Sequence, residues 1–197
     1  MDRPRFDVIY ASFHAKIVRY LTRLVGEAEA EDLAQETFVK VGRALEGFRG
    51  EAQLHTWVYK IATNTAFDKL RSPSLRETSQ DPARVESIVG IEDVDVWAGR
   101  KRLSVEQQAI REEMSSCVRD VILRLPDNYR TAIVLSDLEG FKDSEIAEVL
   151  GLTLSATKIR LHRARTRLRE ELSRCCVLYR NEENELACDR KSEPDQG

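Results

Sequence analysis

The sequence predicts an all-helical protein of two small domains joined by a flexible acidic linker. Glycine and proline are scarce, at 9 and 5 of 197 residues, which favours long helices with few sharp turns. Apolar residues recur at helical spacing through two separate stretches, whereas residues 73 to about 110 lack a sustained period. We therefore expect a first domain at 1–72, a linker at 73–113, a second domain at 114–174 and a cysteine-containing tail at 175–197.

Three helices are predicted in the first domain. The first runs from Phe6 to Val25 and is broken by Gly26, and the second covers about 28–45. The third covers about 54–71 and ends before Pro73, because a proline disfavours helical geometry in the residue that precedes it. On this third helix Trp57 is predicted to face the core, whereas Tyr59 is more exposed and its role stays open.

In the second domain, a helical pattern from about 104 to 125 is followed by predicted helices at 127–138, 143–150 and 154 to about 173. The last two fit a helix-turn-helix: Asp143 is suited to cap the first, Ala147 is small where helices cross, and Gly151 supplies a left-handed turn. The predicted buried stripe of the last helix consists of Leu154, Thr157, Leu161, Ala164 and Leu168.

The outward face of the last helix is strongly basic, although the net charge of the chain is −3. Near its start, where a recognition helix meets base edges in the major groove, stand Lys158, Ile159, Arg160, His162 and Arg163. Further along, Arg165, Arg167 and Arg169 are suited to phosphate contacts. The alternative is a solvated basic helix that contacts nothing.

Two sets of residues resemble one known family. The stretches 125–130 and 138–168 resemble the second conserved domain of extracytoplasmic-function (ECF) sigma factors, which belong to the sigma-70 family of RNA polymerase subunits. Independently, residues 31–38 are similar to the family's polymerase-binding helix, and residues 48–50 with 56–64 are similar to its promoter-melting segment. The resemblance implies a non-enzymatic initiation factor that directs polymerase to promoters by reading a −10 and a −35 element.

The resemblance also implies site residues. The residues that match the family's polymerase-binding helix are Asp32, Gln35 and Glu36, a polar cluster at i, i+3 and i+4. The alternative interpretation is that they form an ordinary solvated helix face. The −35 element is expected to bind the basic face of the last helix, where Ile159 stands in place of the small polar residue that is usual in the family. Recognition of an opened −10 element needs contacts to a base edge, to an aromatic surface and to phosphates. The residues that match the family's positions for this are Ala44, Phe48, Lys60, Asn64, Lys69 and Arg71, along with the loop 49–54. The acidic linker, with Glu92, Asp93 and Asp95, matches the family's tether.

The implied partners are promoter DNA, core RNA polymerase through the clamp helices of its largest subunit and its flap, and an anti-sigma factor, often membrane-anchored. The free chain is expected to be a monomer. We expect the two bundles to contact different parts of one control sequence rather than fuse into one globule. A stand-alone helix-turn-helix regulator with an N-terminal sensor domain is the alternative; it would not need the motifs at 32–36 and 57–64.

Composition excludes several other classes. No apolar run approaches the ~20 residues that span a bilayer, and no signal-peptide core follows the N-terminus, so we expect a cytoplasmic protein without direct membrane insertion. The three histidines are scattered and no catalytic motif is present, so neither enzyme activity nor a cofactor is expected.

In the tail, Cys175, Cys176 and Cys188, with His162 or Asp189, could form a metal or redox sensor, but they match no standard zinc pattern. The favoured interpretation is a helix continuation that packs on the second domain or a partner.

Overall fold

The computed structural model describes residues 4–50, 52–71, 118–180 and 186–191, and within them the protein is built of helices with a small C-terminal hairpin. The first bundle contains α1 (Phe6–Val25), α2 (Glu27–Ala44) and α3 (Leu54–Leu70), with a 3-10 turn at Leu45–Gly47. The second contains α4, described over 118–124, then α5 (Asp127–Ile133), α6 (Asp143–Leu150) and α7 (Leu154–Cys175). The predicted all-helical architecture of two domains is confirmed.

The core of the first bundle is formed by the apolar stripes of its three helices. Gly26 has a φ of +89°, which lets α2 start directly after α1 and pack antiparallel to it. Inside the bundle, the Tyr20 hydroxyl and Thr63 Oγ1 are 2.7 Å apart, which satisfies two buried polar groups and ties α1 to α3. The fully buried side chains include those of Ile17, Leu21, Leu24, Val41 and Val58.

The second bundle has the predicted helix-turn-helix. Gly151 adopts the left-handed conformation at φ +64°, and the Leu152 amide donates to the Ala147 carbonyl at 2.9 Å, which closes the turn. The predicted cap at Asp143 is wrong by one residue: Lys142 precedes the helix, and its amide donates to Glu145 Oε2 at 2.8 Å. Between α5 and α6 the backbone continues as a π-helical turn at Val134–Leu138.

The buried stripe of α7 is largely as predicted. Thr157, Leu161 and Ala164 are buried and Leu168 is half-buried against the core. Leu154 is 47% exposed, so its prediction as a core residue is wrong. It is the first residue of α7, and the helix reaches the core only one turn later. Thr153 caps the start of this helix, because its hydroxyl accepts from the Ala156 amide at 3.2 Å.

The tail corrects another expectation. α7 ends at Cys175, and instead of a continued helix the chain forms β1 (Cys176–Arg180) and β2 (Leu186–Arg190), which pair antiparallel with Leu178 opposite Cys188. The hairpin returns to the helix end, where the Lys191 amide donates to the Cys175 carbonyl at 2.9 Å. The ammonium of Lys191 donates to the Ser173 carbonyl at 2.7 Å, so a cation lies at the negative end of the dipole of α7.

The two bundles are in contact, whereas the sequence predicted two separate domains on a tether. α3 packs against α6, the end of α1 lies near α5, and the apolar core continues from one bundle into the other. The contact depends on groups about a hundred residues apart in sequence, such as Arg23 and Glu139. The predicted linker at 73–113, including Glu92, Asp93 and Asp95, lies outside the described residues.

Candidate nucleic-acid interface

The second and third turns of α7 present the predicted base-reading residues at or near the surface. Lys158 and His162 are exposed, and Ile159 is 53% exposed, an uncommon position for a large apolar side chain. Arg160 and Arg163 are half-buried. Because Gly151 and the Thr153 cap fix the direction of α7, these side chains project together from the second helix of the helix-turn-helix.

Arg160 differs from the other basic residues of this face in its surroundings. Burial lowers the pKa of its guanidinium, while the nearby Tyr129 acts in the opposite direction. An arginine stays protonated in proteins at neutral pH, so the group remains a donor with its stem held against the bundle. A restrained guanidinium loses less conformational entropy on binding than a fully exposed one.

The two arginines further along α7 are engaged within the protein. Arg165 Nη2 contacts Asp137 Oδ1 at 2.9 Å and the Ser136 hydroxyl at 3.2 Å. Arg167 Nη2 contacts Glu171 Oε1 at 3.1 Å. Both guanidinium groups are nearly half exposed, and such surface pairs contribute little stability, so a phosphate can displace the carboxylates. The sequence did not reveal these pairings.

In the first bundle, the predicted polymerase-binding residues share the solvent-exposed side of α2. Asp32, Gln35 and Glu36 are all exposed, while Leu33, Phe38 and Val41 of the same helix are buried in the core. Glu36 Oε1 forms an ion pair with Lys40 Nζ at 2.9 Å. The structure therefore brings the three predicted residues onto one accessible acidic face.

The predicted −10 residues form a looser group around α3. Ala44, Lys60 and Asn64 are exposed. Lys69 Nζ is bonded to Glu29 Oε2 at 2.7 Å, which raises the pKa of the ammonium, and the Arg71 guanidinium lies 5.9 Å from the centre of the Phe67 ring. Lys69 and Arg71 thus already have neighbours, whereas Lys60 and Asn64 project from the middle of the helix.

An aromatic pair at the start of α3 was only half anticipated. The Phe48 and Trp57 rings lie 4.8 Å apart at an angle of 44°, and both side chains are half-buried. Trp57 was predicted to be a core residue, and it is half-buried and packs against the core. The prediction that Tyr59 is more exposed is wrong, because its side chain is buried. The pair offers a partly exposed aromatic surface for an unstacked base.

The thiols of the tail show no metal site within the part of the chain that the structure describes. Cys175 is half-buried and Cys176 is buried, and no group of three potential ligands surrounds them there. The Arg124 guanidinium lies 3.8 Å from Cys175 Sγ. Across the described helices, none is long and apolar enough to cross a membrane.

The fold and this surface define a helix-turn-helix DNA-binding protein with a second helical domain. Family models match both halves: Sigma-70 region 2 at residues 9–75 and Sigma-70, region 4 at residues 115–168. The RNA polymerase sigma-H factor of Pseudomonas aeruginosa is 34% identical over 170 residues, covering 83% of this chain and 84% of that protein. The ECF RNA polymerase sigma-E factor of Haemophilus influenzae is 31% identical over 172 residues, covering 87% and 89%.

A solved structure agrees with this result at the level of the fold. The sigma factor RpoE from Bartonella quintana, in complex with the anti-sigma factor NepR, aligns with a TM-score of 0.60 and 22% identity, covering 85% of this chain and 96% of that one. The chain belongs to the sigma-70 family, in its ECF group. It is a transcription initiation factor that binds RNA polymerase and directs it to promoters.

Proposed function

We propose that the two domains divide promoter recognition between them, the 1–72 domain binding core polymerase and the −10 element, and the 114–174 domain binding the −35 element. The observation that carries this proposal is the outward basic face of α7, because it combines a capped recognition helix with exposed donors on its second and third turns. The acidic face of α2 lies on the other bundle, so protein and DNA contacts use different surfaces.

At the −35 element, Lys158, Arg160 and Arg163 supply donors for guanine O6/N7 or for phosphates. The exposed apolar side chain of Ile159 suits a thymine methyl group. His162 adds a polar contact, while Arg165 and Arg167 bind phosphates after leaving their carboxylate partners. Base contacts near the start of α7 set sequence preference, and phosphate contacts further along set affinity and its dependence on salt.

At the −10 element, the separated strand needs an aromatic surface and a group that reads a base edge. Phe48 and Trp57 supply the first, and Asn64 offers both donor and acceptor atoms for the second. Lys60, Lys69 and Arg71 are suited to hold the backbone of the strand, and Ala44 presents a small exposed side chain at the end of α2. Trp57 joins the residues predicted from the sequence, because its ring lies 4.8 Å from that of Phe48.

Polymerase binding is assigned to Asp32, Gln35 and Glu36, whose charge suits basic residues on the clamp helices of the largest subunit, while the second domain contacts the flap. The chain contributes no catalytic group of its own. The alternative, a stand-alone regulator with a sensor domain, is not favoured, since Sigma-70 region 2 matches the N-terminal half.

An anti-sigma factor is the remaining proposed partner. Support comes from the solved relative, which is bound to the anti-sigma factor NepR. We propose that such a factor, often membrane-anchored in this family, covers the polymerase-binding surface, and that the free chain is a cytoplasmic monomer. Size-exclusion chromatography with light scattering of the purified chain checks the monomeric state.

Run-off transcription with purified core polymerase on genomic fragments tests the proposed function and yields the promoter. The chain should produce discrete transcripts that core polymerase alone does not. Templates with single base changes then locate the two elements. Transcripts unaffected by the chain, or a promoter without an upstream element, would contradict the proposal.

A further inference from the structure

The two bundles are joined by a cluster of polar and aromatic side chains, called here the interdomain clasp and consisting of Arg23, His55, Tyr59, Glu139 and Phe141. Its first three members lie on α1 and α3, and the last two lie in the segment that precedes α6. None of them belongs to the surfaces assigned above to DNA or polymerase. The clasp therefore needs an explanation of its own.

Glu139 is the centre of the clasp. Its side chain is 7% exposed, and each carboxylate oxygen has a partner from the first bundle. Arg23 Nη1 donates to Oε1 at 2.5 Å, and the Tyr59 hydroxyl donates to Oε2 at 2.7 Å. Burial, followed by the hydrogen bond to Glu139, raises the pKa of Tyr59, which keeps the hydroxyl protonated as a donor.

The backbone around Glu139 is shaped to deliver neighbouring side chains to α3. Gly140 has a φ of +74°, a conformation that favours glycine, and the Phe141 amide donates to the Leu135 carbonyl at 2.9 Å. The Phe141 ring then lies 4.8 Å from the Tyr59 ring and 5.1 Å from that of His55.

Two further contacts join the bundles around the clasp. His55 Nε2 lies 3.2 Å from Glu145 Oε1, so α3 is tied to α6 itself. On the other side, the Arg130 guanidinium donates to the Leu24 carbonyl at the end of α1. These polar contacts surround the apolar core that the two bundles share, and they fix the partners of that contact residue by residue.

The closed arrangement cannot place both reading surfaces on one promoter. The −10 and −35 positions differ by about 25 base pairs, which at ~3.4 Å each separates the elements by roughly 85 Å along the DNA. α3 carries Asn64, contacts α6, and spans only about 25 Å for its 17 residues, at ~1.5 Å per residue. α7, which carries Arg160, packs directly on α6. The bundles must separate before both elements are contacted.

We propose that Glu139 is the latch of a closed, latent state that the free chain adopts without any partner, and that breaking its bonds to Arg23 and Tyr59 opens the chain for promoter binding. The proposal rests on the proposed function only for its consequence, because closure itself is a property of the isolated protein. A closed molecule does not bind the promoter, so the apparent affinity of the protein for promoter DNA is reduced in proportion to the fraction of molecules that are open.

The test compares Glu139→Gln with the wild-type chain and with Glu148→Gln, a matched control at an exposed position on α6. Small-angle X-ray scattering should show a compact wild-type chain and control, and a larger radius of gyration for Glu139→Gln. In run-off transcription at limiting factor, Glu139→Gln should lower the half-saturating concentration by about fivefold to tenfold, the effect of losing charge-assisted hydrogen bonds on a closed population.

Three outcomes would overturn the latch: an extended wild-type chain, scattering unchanged by Glu139→Gln, or an opened Glu139→Gln chain whose half-saturating concentration in transcription does not fall. If circular dichroism shows that Glu139→Gln does not fold, Tyr59→Phe replaces it, since it keeps the ring beside Phe141 and removes only the hydroxyl donor. It should open the chain to a smaller extent, and unchanged scattering would again refute the proposal. If the wild-type chain supports no transcription, the proposed function fails while the scattering still decides the latch.

Discussion

Arg130 provides the most demanding stability prediction, because one guanidinium satisfies the ends of two helices. It donates to the Leu24 carbonyl, to that of Leu123 at 2.7 Å and to that of Leu125 at 3.0 Å, and it pairs with Asp127 at 3.3 Å. The side chain is only 12% exposed. Burial lowers the pKa of this guanidinium, so the same burial also costs free energy.

Replacing Arg130 by methionine keeps an apolar stem of similar length and removes every donor. Three carbonyl groups lose their partner, and each buried acceptor left unpaired costs about 1–3 kcal/mol. The ion pair with the partly exposed Asp127 adds little, and release of the buried charge returns part of the loss. We expect Arg130→Met to lower the free energy of unfolding by about 3 kcal/mol.

Urea unfolding followed by circular dichroism measures this loss. Arg124→Met is the matched control, since Arg124 is exposed on the neighbouring helix α4, and it should change stability by less than about 0.5 kcal/mol. A loss below about 1 kcal/mol for Arg130→Met, or equal losses for both variants, would show that the guanidinium does not hold the two helix ends together.

Three further predictions concern the binding surfaces and the buried tyrosines. Arg160→Ala should weaken binding to upstream-element DNA in fluorescence anisotropy by about tenfold or more while leaving polymerase affinity intact, and equal loss of both would contradict its role. Asp32→Lys should weaken binding to core polymerase by about tenfold in a titration, with DNA binding by the second domain unchanged; unaltered polymerase affinity would contradict the assignment. Burial raises the pKa of Tyr20 and of Tyr59 above the ordinary value of about 10. Their contribution to stability is thus fully present below pH ~10 and is lost as the pH rises further, so an ultraviolet titration should show both ionising only with unfolding; reversible ionisation near pH 10 in the folded chain would contradict this.

Local patterns were sufficient to predict the helices and the exposed basic face of α7. The spacing of Thr157, Leu161 and Ala164 identified the buried side of α7, and the opposite side therefore had to carry the exposed basic residues. Leu154 fits the same spacing but lies before the helix reaches its neighbours. Periodicity gives the direction of a side chain but not whether another element is present to cover it.

The aromatic residues of α3 show why burial there was harder to predict. α3 packs against α1, α2 and α6, so its apolar residues are spread around the helix instead of along one stripe. Tyr59 is buried because Glu139 and Phe141, about 80 residues later in the chain, cover it. No local sequence pattern contains that information.

The tail contained a signal that a helical interpretation missed. Cys176–Arg180 includes a valine and a tyrosine in a run of five residues, and a second short apolar segment follows at Leu186–Arg190. Two such runs separated by polar residues are typical of a hairpin. The family match ends at residue 168, so the resemblance gave no prediction for the structure of the tail.

Footprinting of the reconstituted holoenzyme on the promoter found by run-off transcription is the most direct test of promoter recognition shared between two domains. Hydroxyl radicals should reveal two protected elements, Arg160→Ala should remove the upstream one alone, and Asn64→Ala should reduce permanganate reactivity at the downstream one alone. One continuous protected patch, or simultaneous loss of both elements in either variant, would contradict the account.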